Sequence, residues 1–128
     1  MNTISVDLTS DSYQIHVGHH LLAQAGNLIH SCTSGSKILV VTHPDLNKLF
    51  GAELLASLES AGFSVTTAEV PTGEHAKSFE SYQKLVNVLA EHRFTREDIV
   101  VALGGGVIGD LAGFAAATYM RGCALVHI

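Results

Sequence analysis

The sequence predicts an α/β fold: a Rossmann-like, mostly parallel sheet flanked by helices and preceded by an N-terminal β-hairpin. Two short apolar runs, Lys37–Thr42 and Ile99–Leu103, are typical of strands that a parallel sheet buries on both faces. Segments with the helical spacing of apolar residues alternate with these runs. Gly104–Gly106 follow the second run directly and open a further helix, so that strand, turn and helix succeed one another.

The hairpin is predicted at the start of the chain. Apolar residues recur at every second position in Thr3–Leu8 and again in Tyr13–Val17, which is the pattern of half-buried strands. The polar segment Ser10–Ser12 supplies the turn between them. A helix over Leu21–His30 then leads to the first apolar strand, Lys37–Thr42.

The elements after that strand continue to alternate. We predict a helix from Pro44 that Gly62 ends, a strand over Phe63–Val70, a helix from the N-cap Ser78 to His92, the strand Ile99–Leu103, a glycine-led helix toward Tyr119, and a last strand from Ala124. The order β-α-β-α-β-α-β implies right-handed crossovers and therefore a parallel sheet.

Composition bounds the class of protein. Of the 128 residues, 47% are hydrophobic and 15% are charged, which suits one ordered domain and excludes a disordered chain. The formal net charge of -5 provides no basic surface for nucleic acid or an anionic membrane. The longest uncharged apolar stretch, Ile99–Ile108, is far shorter than the ~20 residues of a membrane span. We expect a soluble, cytoplasmic protein with no nucleic-acid or membrane partner, and no signal peptide.

The carboxyl end of the sequence is unusual for a complete domain. The mean hydropathy is +0.30, and the chain stops inside the apolar run Ala124–Ile128 without a turn or polar tail. Strands normally end at turns. We therefore expect residues 1–128 to be one domain that is truncated within its last strand.

The glycine-rich segment is the strongest functional signal. Gly104, Gly106 and Gly109 satisfy G-x-G-x-x-G after a strand and at the opening of a helix. Glycines there let the backbone approach a pyrophosphate, and the helix N-terminus offers unpaired N–H groups. The alternative is that the glycines only permit tight packing, since Gly105, Gly109 and Gly113 share one helix face. The motif follows a later strand than in a Rossmann fingerprint, which predicts a phosphate or dinucleotide site of another lineage.

Charged residues flank this motif in two places. Asp110 lies in the first turn of the glycine-led helix, where it either complements the helix dipole or binds a ligand hydroxyl or a basic side chain. The segment Pro71–Ser78 joins a strand to a helix, and Gly73 allows an unusual turn within it. Its Glu74 and Lys77 are within reach of ribose hydroxyls and phosphate, or are ordinary surface charges of a solvated loop.

Histidine and cysteine form no metal-binding pattern. None of the 8 histidines is part of an H-E-x-x-H pair, and we expect no metal site within this chain. Cys32 and Cys123 are far apart, and we expect both to be buried thiols in a reducing compartment. No G-x-S-x-G segment indicates a nucleophilic serine.

Three segments together resemble one enzyme family. Ala102–Gly122 looks like the glycine-rich signature of 3-dehydroquinate synthase, and Pro71–Ser78 resembles that family's P-D-G-E-x-x-K-S element. The likeness extends through Lys37–Thr42 to the opening hairpin. The resemblance implies an enzyme of the shikimate pathway of aromatic amino-acid biosynthesis, which converts 3-deoxy-D-arabino-heptulosonate 7-phosphate into 3-dehydroquinate and phosphate. It also implies catalytic NAD, a divalent metal (zinc or cobalt) and a homodimer.

The resemblance assigns roles to individual residues. The cofactor-binding set that it implies is Asp45, Thr72, Gly73, Glu74, His75, Ala76, Lys77, Gly105, Gly106, Val107, Ile108, Gly109 and Asp110. Arg121 would lie near the substrate phosphate, which its fixed fork of donors suits, and would reach the site of a neighbouring subunit; the alternative is a solvated charge at a helix C-terminus. The metal ligands and the catalytic residues belong to a C-terminal helical domain of the family, so we expect this chain alone to be inactive.

Two positions depart from the family pattern. Where the family often has Asp-x-Asn after the first core strand, this chain has His43-Pro44-Asp45, which leaves Asp45 as the residue expected to bind the adenine ribose. Thr72 replaces the aspartate of P-D-G-E. The alternatives are a related sugar-phosphate cyclase, a metal-dependent polyol dehydrogenase, or a module that by itself binds a dinucleotide weakly.

Overall fold

The computed structural model describes all residues from Met1 to Ile128, and its strands form two separate sheets. The strands are β1 (Asn2–Val6), β2 (Tyr13–Val17), β3 (Lys37–Thr42), β4 (Ser64–Glu69), β5 (Ile99–Ala102) and β6 (Ala124–His127). Strands β1 and β2 form an antiparallel hairpin, and the other four form a parallel sheet in the order β4-β3-β5-β6. The predicted hairpin and parallel sheet are confirmed.

The helices lie between the strands, as the alternating pattern predicts. They are α1 (Ala25–His30), α2 (Pro44–Leu46), α3 (Ala52–Ser60), α4 (Phe79–Glu91) and α5 (Gly106–Thr118). A π-helical turn, Asn47–Gly51, joins α2 to α3, so the single helix predicted there is continuous but irregular. The predicted N-cap is confirmed, because the Ser78 hydroxyl accepts a hydrogen bond of 3.1 Å from the Ser81 N–H.

Strand β3 is central to the parallel sheet and sends side chains to both faces. Leu39 and Val41 join a cluster of 14 buried residues, most of them from β4, β5, α4 and α5. Ile38 and Val40 join a second cluster of 10 buried residues, to which α1 and α3 contribute. Burying one large aliphatic side chain contributes about 1.5–3 kcal/mol, so helices on both faces are needed to cover this strand.

The hairpin contributes little to either cluster. Ile4 lies opposite Ile15 on one face, but both side chains are exposed, as are those of Tyr13 and Val17. The alternation of β1 and β2 therefore produces an apolar face that the rest of this chain does not cover. No helix has both the length and the apolar character needed to cross a membrane.

The two cysteines differ in exposure. Cys32 is exposed at the end of α1, so its expected burial is wrong; the turn after this six-residue helix leaves its thiol outside, donating to the Leu28 carbonyl. Cys123 is half-buried before β6, and burial raises the pKa of its thiol.

The amino ends of β3 and β5 are joined by a buried carboxylate. Asp98, only 3% exposed, accepts hydrogen bonds from the backbone N–H groups of Ser36 and Lys37 at 3.3 and 3.0 Å. It also accepts from the N–H and the hydroxyl of Thr95, at 2.7 and 3.2 Å. Burial alone raises the pKa of Asp98, but these hydrogen bonds outweigh burial and hold the pKa below its usual range.

Candidate functional site

Three connections meet at the carboxyl edge of the parallel sheet. They are the segment Thr42–Asp45 from the end of β3 to the start of α2, the loop Val70–Ser78 after β4, and the segment Leu103–Asp110 from the end of β5 through the first turn of α5, which we call the glycine loop. Because the strands are parallel, these loops lie at one edge, where open α/β sheets bind ligands. Since β3 lies between β4 and β5, its end separates the other two loops.

The glycine loop contains one glycine that packing requires and two that it does not. A Cβ on Gly104 would lie 2.9 Å from Ile108 Cγ1, so the turn demands glycine at this position. A Cβ on Gly105 or on Gly106 would meet nothing within 4 Å, and both residues are open to solvent on that side. Their backbone is accessible to an incoming group, as a phosphate-binding turn requires.

The start of α5 leaves backbone donors free. Gly105 occupies the N-cap position without a side-chain hydrogen bond, and the helix continues for 13 residues. The first N–H groups of a helix have no intrahelical partner and carry partial positive charge. An anion at Gly105–Val107 would therefore find uncapped donors on an accessible backbone.

Gly105, Gly109 and Gly113 form a glycine stripe on one face of α5. The sequence left open whether these glycines serve phosphate binding or close packing, and the structure separates them. A Cβ on Gly109 would lie 3.2 Å from the His127 ring, and one on Gly113 would lie 3.5 Å from the Leu125 side chain. Both contacts are with β6, so these glycines allow the helix to pack closely on that strand. Gly105, at the start of the stripe, has no such neighbour.

An ion pair joins the loop after β4 to the start of α5. Gly73 has φ +102°, and a 3-10 turn over Glu74–Ala76 directs Lys77 toward the glycine loop. Lys77 Nζ lies 2.7 Å from Asp110 Oδ2 and 3.8 Å from Glu74 Oε2. The hydrogen bond to Asp110 is the main reason that the pKa of Lys77 is raised. Lys77 is thus the basic partner of Asp110 in this structure.

This ion pair orients groups more than it stabilises the fold. The side chain of Asp110 is 67% exposed and that of Lys77 is 40% exposed, and exposed pairs contribute little to the free energy of unfolding. Beside them, Phe79, Tyr82, Leu111 and Phe114 line an open cleft of about 330 Å³. The cleft places a charged pair at the rim of an apolar wall.

The other residues expected to bind cofactor fall into two groups. Thr72, His75 and Asp45 are exposed at the carboxyl edge and can offer side-chain atoms. Ala76 and Ile108 are buried in the fold, so only their main-chain atoms are available to a ligand. Val107 is half-buried beside them.

Arg121 is not brought to this edge within one chain. It follows the C-terminal end of α5, about 20 Å along the helix from the glycine loop at 1.5 Å per residue. Arg121 is exposed, and its φ of 63° and that of Met120, 51°, form a tight left-handed turn. Arg121 therefore lies far from the glycine loop of its own subunit. Its expected binding of the substrate phosphate stays a prediction.

His43 occupies a central position that sequence reasoning did not assign to the site. Its Nδ1 lies 3.2 Å from the Val70 carbonyl oxygen, at the end of the strand between the two ligand loops. The preceding Thr42 hydroxyl donates to the Leu103 carbonyl at 2.9 Å and ties this strand end to the glycine loop. The signal in the sequence is position: His43 is the first residue after a buried strand.

Sequence comparison connects these loops with one family. Residues 67–128 match the family model described as 3-dehydroquinate synthase N-terminal. The 3-dehydroquinate synthase of Desulforamulus reducens is 42% identical over 128 residues, which are all of this chain and 36% of that protein. The enzyme of Latilactobacillus sakei is 43% identical over the same length, again 36% of that protein.

The chain is thus similar throughout its length to the N-terminal part of 3-dehydroquinate synthases. It spans about a third of the length of these relatives, and it aligns with them throughout. The predicted resemblance and the predicted fold class are therefore confirmed.

Solved structures of related cyclases have the same fold. A 2-deoxy-scyllo-inosose synthase complexed with carbaglucose-6-phosphate, NAD⁺ and Co²⁺ superposes with a TM-score of 0.87 at 20% identity, covering 99% of this chain and 35% of that one. A 2-epi-5-epi-valiolone synthase from Streptomyces hygroscopicus with NAD⁺ and Zn²⁺ bound has a TM-score of 0.77 at 28% identity, covering 95% of this chain and 33% of that one.

Metal-binding side chains are not gathered anywhere in the 128 residues. No three His, Cys, Asp or Glu side chains are placed so that they would hold one ion. The candidate site consists of backbone donors at the start of α5 and a few charged side chains beside them.

Proposed function

We propose that this chain is the NAD-binding part of a 3-dehydroquinate synthase, which converts 3-deoxy-D-arabino-heptulosonate 7-phosphate into 3-dehydroquinate and phosphate in the shikimate pathway. The observation that carries this proposal is the open backbone of Gly105 and Gly106 at the uncapped start of α5, beside the Lys77–Asp110 pair. Similarity to 3-dehydroquinate synthases supports the choice of reaction.

The glycine loop fits the diphosphate of a dinucleotide. The N–H groups of Gly105–Val107 would donate to its oxygens, and the absence of side chains would let the diphosphate lie against the backbone. Gly109 and the main chain of Ile108 would complete the turn beneath it. When bound, NAD⁺ supplies the ability to accept a hydride and to return it.

The loop after β4 would hold the sugar portions of the cofactor. Thr72 and Glu74 have oxygens that accept hydrogen bonds from ribose hydroxyls, and Asp45 would do so from the end of β3. Lys77 would hydrogen-bond a hydroxyl or a phosphate, and the ion pair with Asp110 would hold the Lys77 ammonium group at the cleft. Gly73, His75 and Ala76 shape this turn, the last through its main chain.

The remaining functions of the whole enzyme are assigned to groups outside this NAD-binding domain. A divalent metal, zinc or cobalt, would be bound by a C-terminal helical domain, since these residues hold no cluster of metal ligands. Arg121 would bind the phosphate of the sugar-phosphate substrate, and its distance from the glycine loop favours the site of the second subunit in a homodimer. The enzyme would act in the cytoplasm.

A polyol dehydrogenase of related architecture is the less favoured alternative. Relatives that align with the whole chain at 42% identity are synthases. The two differ in outcome, because a dehydrogenase releases NADH whereas the synthase returns its hydride to the substrate. A longer protein that contains this chain and produces NADH from a polyol would support the alternative.

Calorimetric titration of the 128-residue chain with NAD⁺ tests the cofactor assignment. We expect saturable but weak binding, in the millimolar range, because this domain provides only one wall of the cleft. The variant Gly106→Val should abolish binding while leaving the unfolding transition in place. Absence of saturable binding by the unmodified chain would contradict the proposal.

A phosphate-release assay tests the assignment of catalysis to residues outside this chain. We expect the 128 residues to release no phosphate from 3-deoxy-D-arabino-heptulosonate 7-phosphate with NAD⁺ and either Zn²⁺ or Co²⁺ present. Metal-dependent turnover by this chain would show that the catalytic groups lie within it.

A further inference from the structure

Two of the three arginines lie at the amino edge of the parallel sheet, on the opposite side from the glycine loop. Arg93 follows the end of α4 and precedes β5, and Arg121 follows the end of α5 and precedes β6. Because β5 and β6 are parallel neighbours, the turns that lead into them lie at the same edge. Arg93 has no role in the site described so far.

The Tyr119 side chain joins these two turns. Its hydroxyl donates a hydrogen bond to the Phe94 carbonyl oxygen at 2.8 Å and lies 3.3 Å from the carbonyl oxygen of Leu89. Phe94 directly follows Arg93, and Tyr119 stands two residues before Arg121. The Tyr119 ring also packs against the larger buried cluster. Tyr119 therefore fixes the backbone of one arginine turn relative to the other.

Both arginines are held in a backbone conformation that favours glycine. The φ angle is 57° at Arg93 and 63° at Arg121, and Met120 before it has φ 51°. Left-handed backbone is costly for residues with a Cβ, persists only where its surroundings impose it, and is found mainly at functional sites. Here the surroundings include Lys37, whose Nζ donates to the Arg93 carbonyl oxygen at 3.2 Å. The fold thus imposes the position of both arginines.

Neither guanidinium group has a counter-charge within the chain. Arg93 and Arg121 are exposed, and both ion pairs of the structure involve Lys77 at the other edge. The buried carboxylate of the amino edge, Asp98, already accepts four hydrogen bonds from other groups. Two positive charges are therefore left available on a chain whose formal net charge is -5.

We propose that Arg93 and Arg121 form one phosphate-binding site and that Tyr119 is its positioning residue. A phosphate group with two negative charges matches two guanidinium groups, each of which offers a fixed fork of donors. The choice of phosphate rests on the proposed function, in which Arg121 binds the substrate phosphate in the second subunit's site. Arg93 is then a second arginine for that phosphate.

NMR spectroscopy of the 128-residue chain tests the site directly, because three arginines give only three side-chain Nε–H signals. Inorganic phosphate is titrated first, then glycerol 3-phosphate, with glycerol as the control for the monoester. We expect the signals of Arg93 and Arg121 to shift with one common dissociation constant for either phosphate, in the millimolar range. Arg96, three residues after Arg93, should not respond. Equal shifts of all three signals, or of none, would overturn the proposal.

Two matched variants test whether the arginines act together. We expect Arg93→Gln to weaken the phosphate binding observed at Arg121 about tenfold, because one partner of a charge-assisted pair of hydrogen bonds is lost. Arg96→Gln removes the same charge from the same turn and should leave the affinity unchanged. Equal losses in the two variants would show a general effect of net charge and would contradict a site built from Arg93 and Arg121.

Tyr119→Phe tests the positioning role, since it removes only the hydroxyl. We expect phosphate binding at Arg121 to weaken about threefold at a temperature far below the unfolding transition, while the dissociation constant for NAD⁺ stays the same. A lower unfolding midpoint with unchanged phosphate affinity would show that Tyr119 is merely structural. Because NAD⁺ is titrated separately, its failure to bind would contradict the proposed function, whereas failure of the arginine signals to respond contradicts only this site.

Discussion

The two edges of the parallel sheet differ in whether their polar groups are hydrogen-bonded within the fold or open to solvent. At the amino edge, Asp98 is buried and accepts four hydrogen bonds from Ser36, Lys37 and Thr95. At the carboxyl edge, the start of α5 has no side-chain cap, and Lys77 and Asp110 are exposed. The same strands thus end in a closed network on one side and in available donors and charges on the other.

Glycines at the two edges show the same difference. A Cβ on Gly35, at the amino edge, would lie 2.0 Å from the Glu97 carbonyl oxygen, so the close approach of two loops requires glycine there. A Cβ on Gly106, at the carboxyl edge, would meet nothing within 4 Å. Packing requires the first glycine but not the second. The amino edge therefore serves the fold, and the carboxyl edge is open for the binding that we propose.

The largest expected effect on stability comes from removing the buried carboxylate at the amino edge. Asp98→Ala removes an acceptor from three backbone N–H groups and a hydroxyl, and we expect a loss of about 3 kcal/mol in the free energy of unfolding. Urea denaturation measures the loss. The adjacent exposed acid provides the control, since Glu97→Ala should change stability by less than about 0.5 kcal/mol. Similar losses in both variants would show that the network at Asp98 is not special.

A second substitution tests the division within the glycine loop. Gly104→Ala places a Cβ 2.9 Å from Ile108 Cγ1, and we expect it to cost about 2 kcal/mol through crowding. Gly106→Ala is the matched control, and it should leave stability unchanged or slightly higher because alanine favours helix. Thermal unfolding of the two variants gives the comparison. Destabilisation by Gly106→Ala would mean that the carboxyl edge is packed and not open.

The ion pair at the carboxyl edge should affect binding without affecting folding. We expect Lys77→Met to weaken NAD⁺ binding about tenfold, because a charge-assisted hydrogen bond to the cofactor is lost. Asp110→Asn should weaken it less, and the double variant should resemble Lys77→Met because the two groups act together. Calorimetry measures the three affinities, and unfolding midpoints should match that of the unmodified chain. Additive losses would indicate that Lys77 and Asp110 bind independently.

The smallest effect is a dependence of stability on acid. Because the pKa of Asp98 is lower in the folded chain than in the unfolded chain, its contribution is complete above the unfolded value, about 3.9. The contribution is lost as the pH falls below that value and through the folded pKa. We expect the difference in stability between the unmodified chain and Asp98→Asn to shrink between about pH 5 and pH 2. A constant difference, measured by urea denaturation across that range, would contradict the lowered pKa.

Local pattern was enough to locate the elements and the ligand loops. The apolar runs at Lys37–Thr42 and Ile99–Leu103, and the cap at Ser78, predict elements whose observed limits differ by no more than one residue. The glycine loop and the segment Pro71–Ser78 are likewise local, since turn and helix-start signals lie within a few neighbouring residues. The prediction of a helix over Leu21–His30 is less accurate, because its first turn is a 3-10 turn and only Ala25–His30 is α-helical.

Pairs that are distant along the chain were decided by the tertiary structure alone. The sequence by itself determined an alternating α/β chain that resembles 3-dehydroquinate synthases and has two candidate ligand loops. Only the strand order β4-β3-β5-β6 placed His43 between those loops, and only packing brought Lys77 to Asp110 and Asp98 to Ser36, 62 residues away. The physical reason is range: periodicity and capping act over a few residues, whereas hydrogen bonds between separate loops depend on which strands lie side by side.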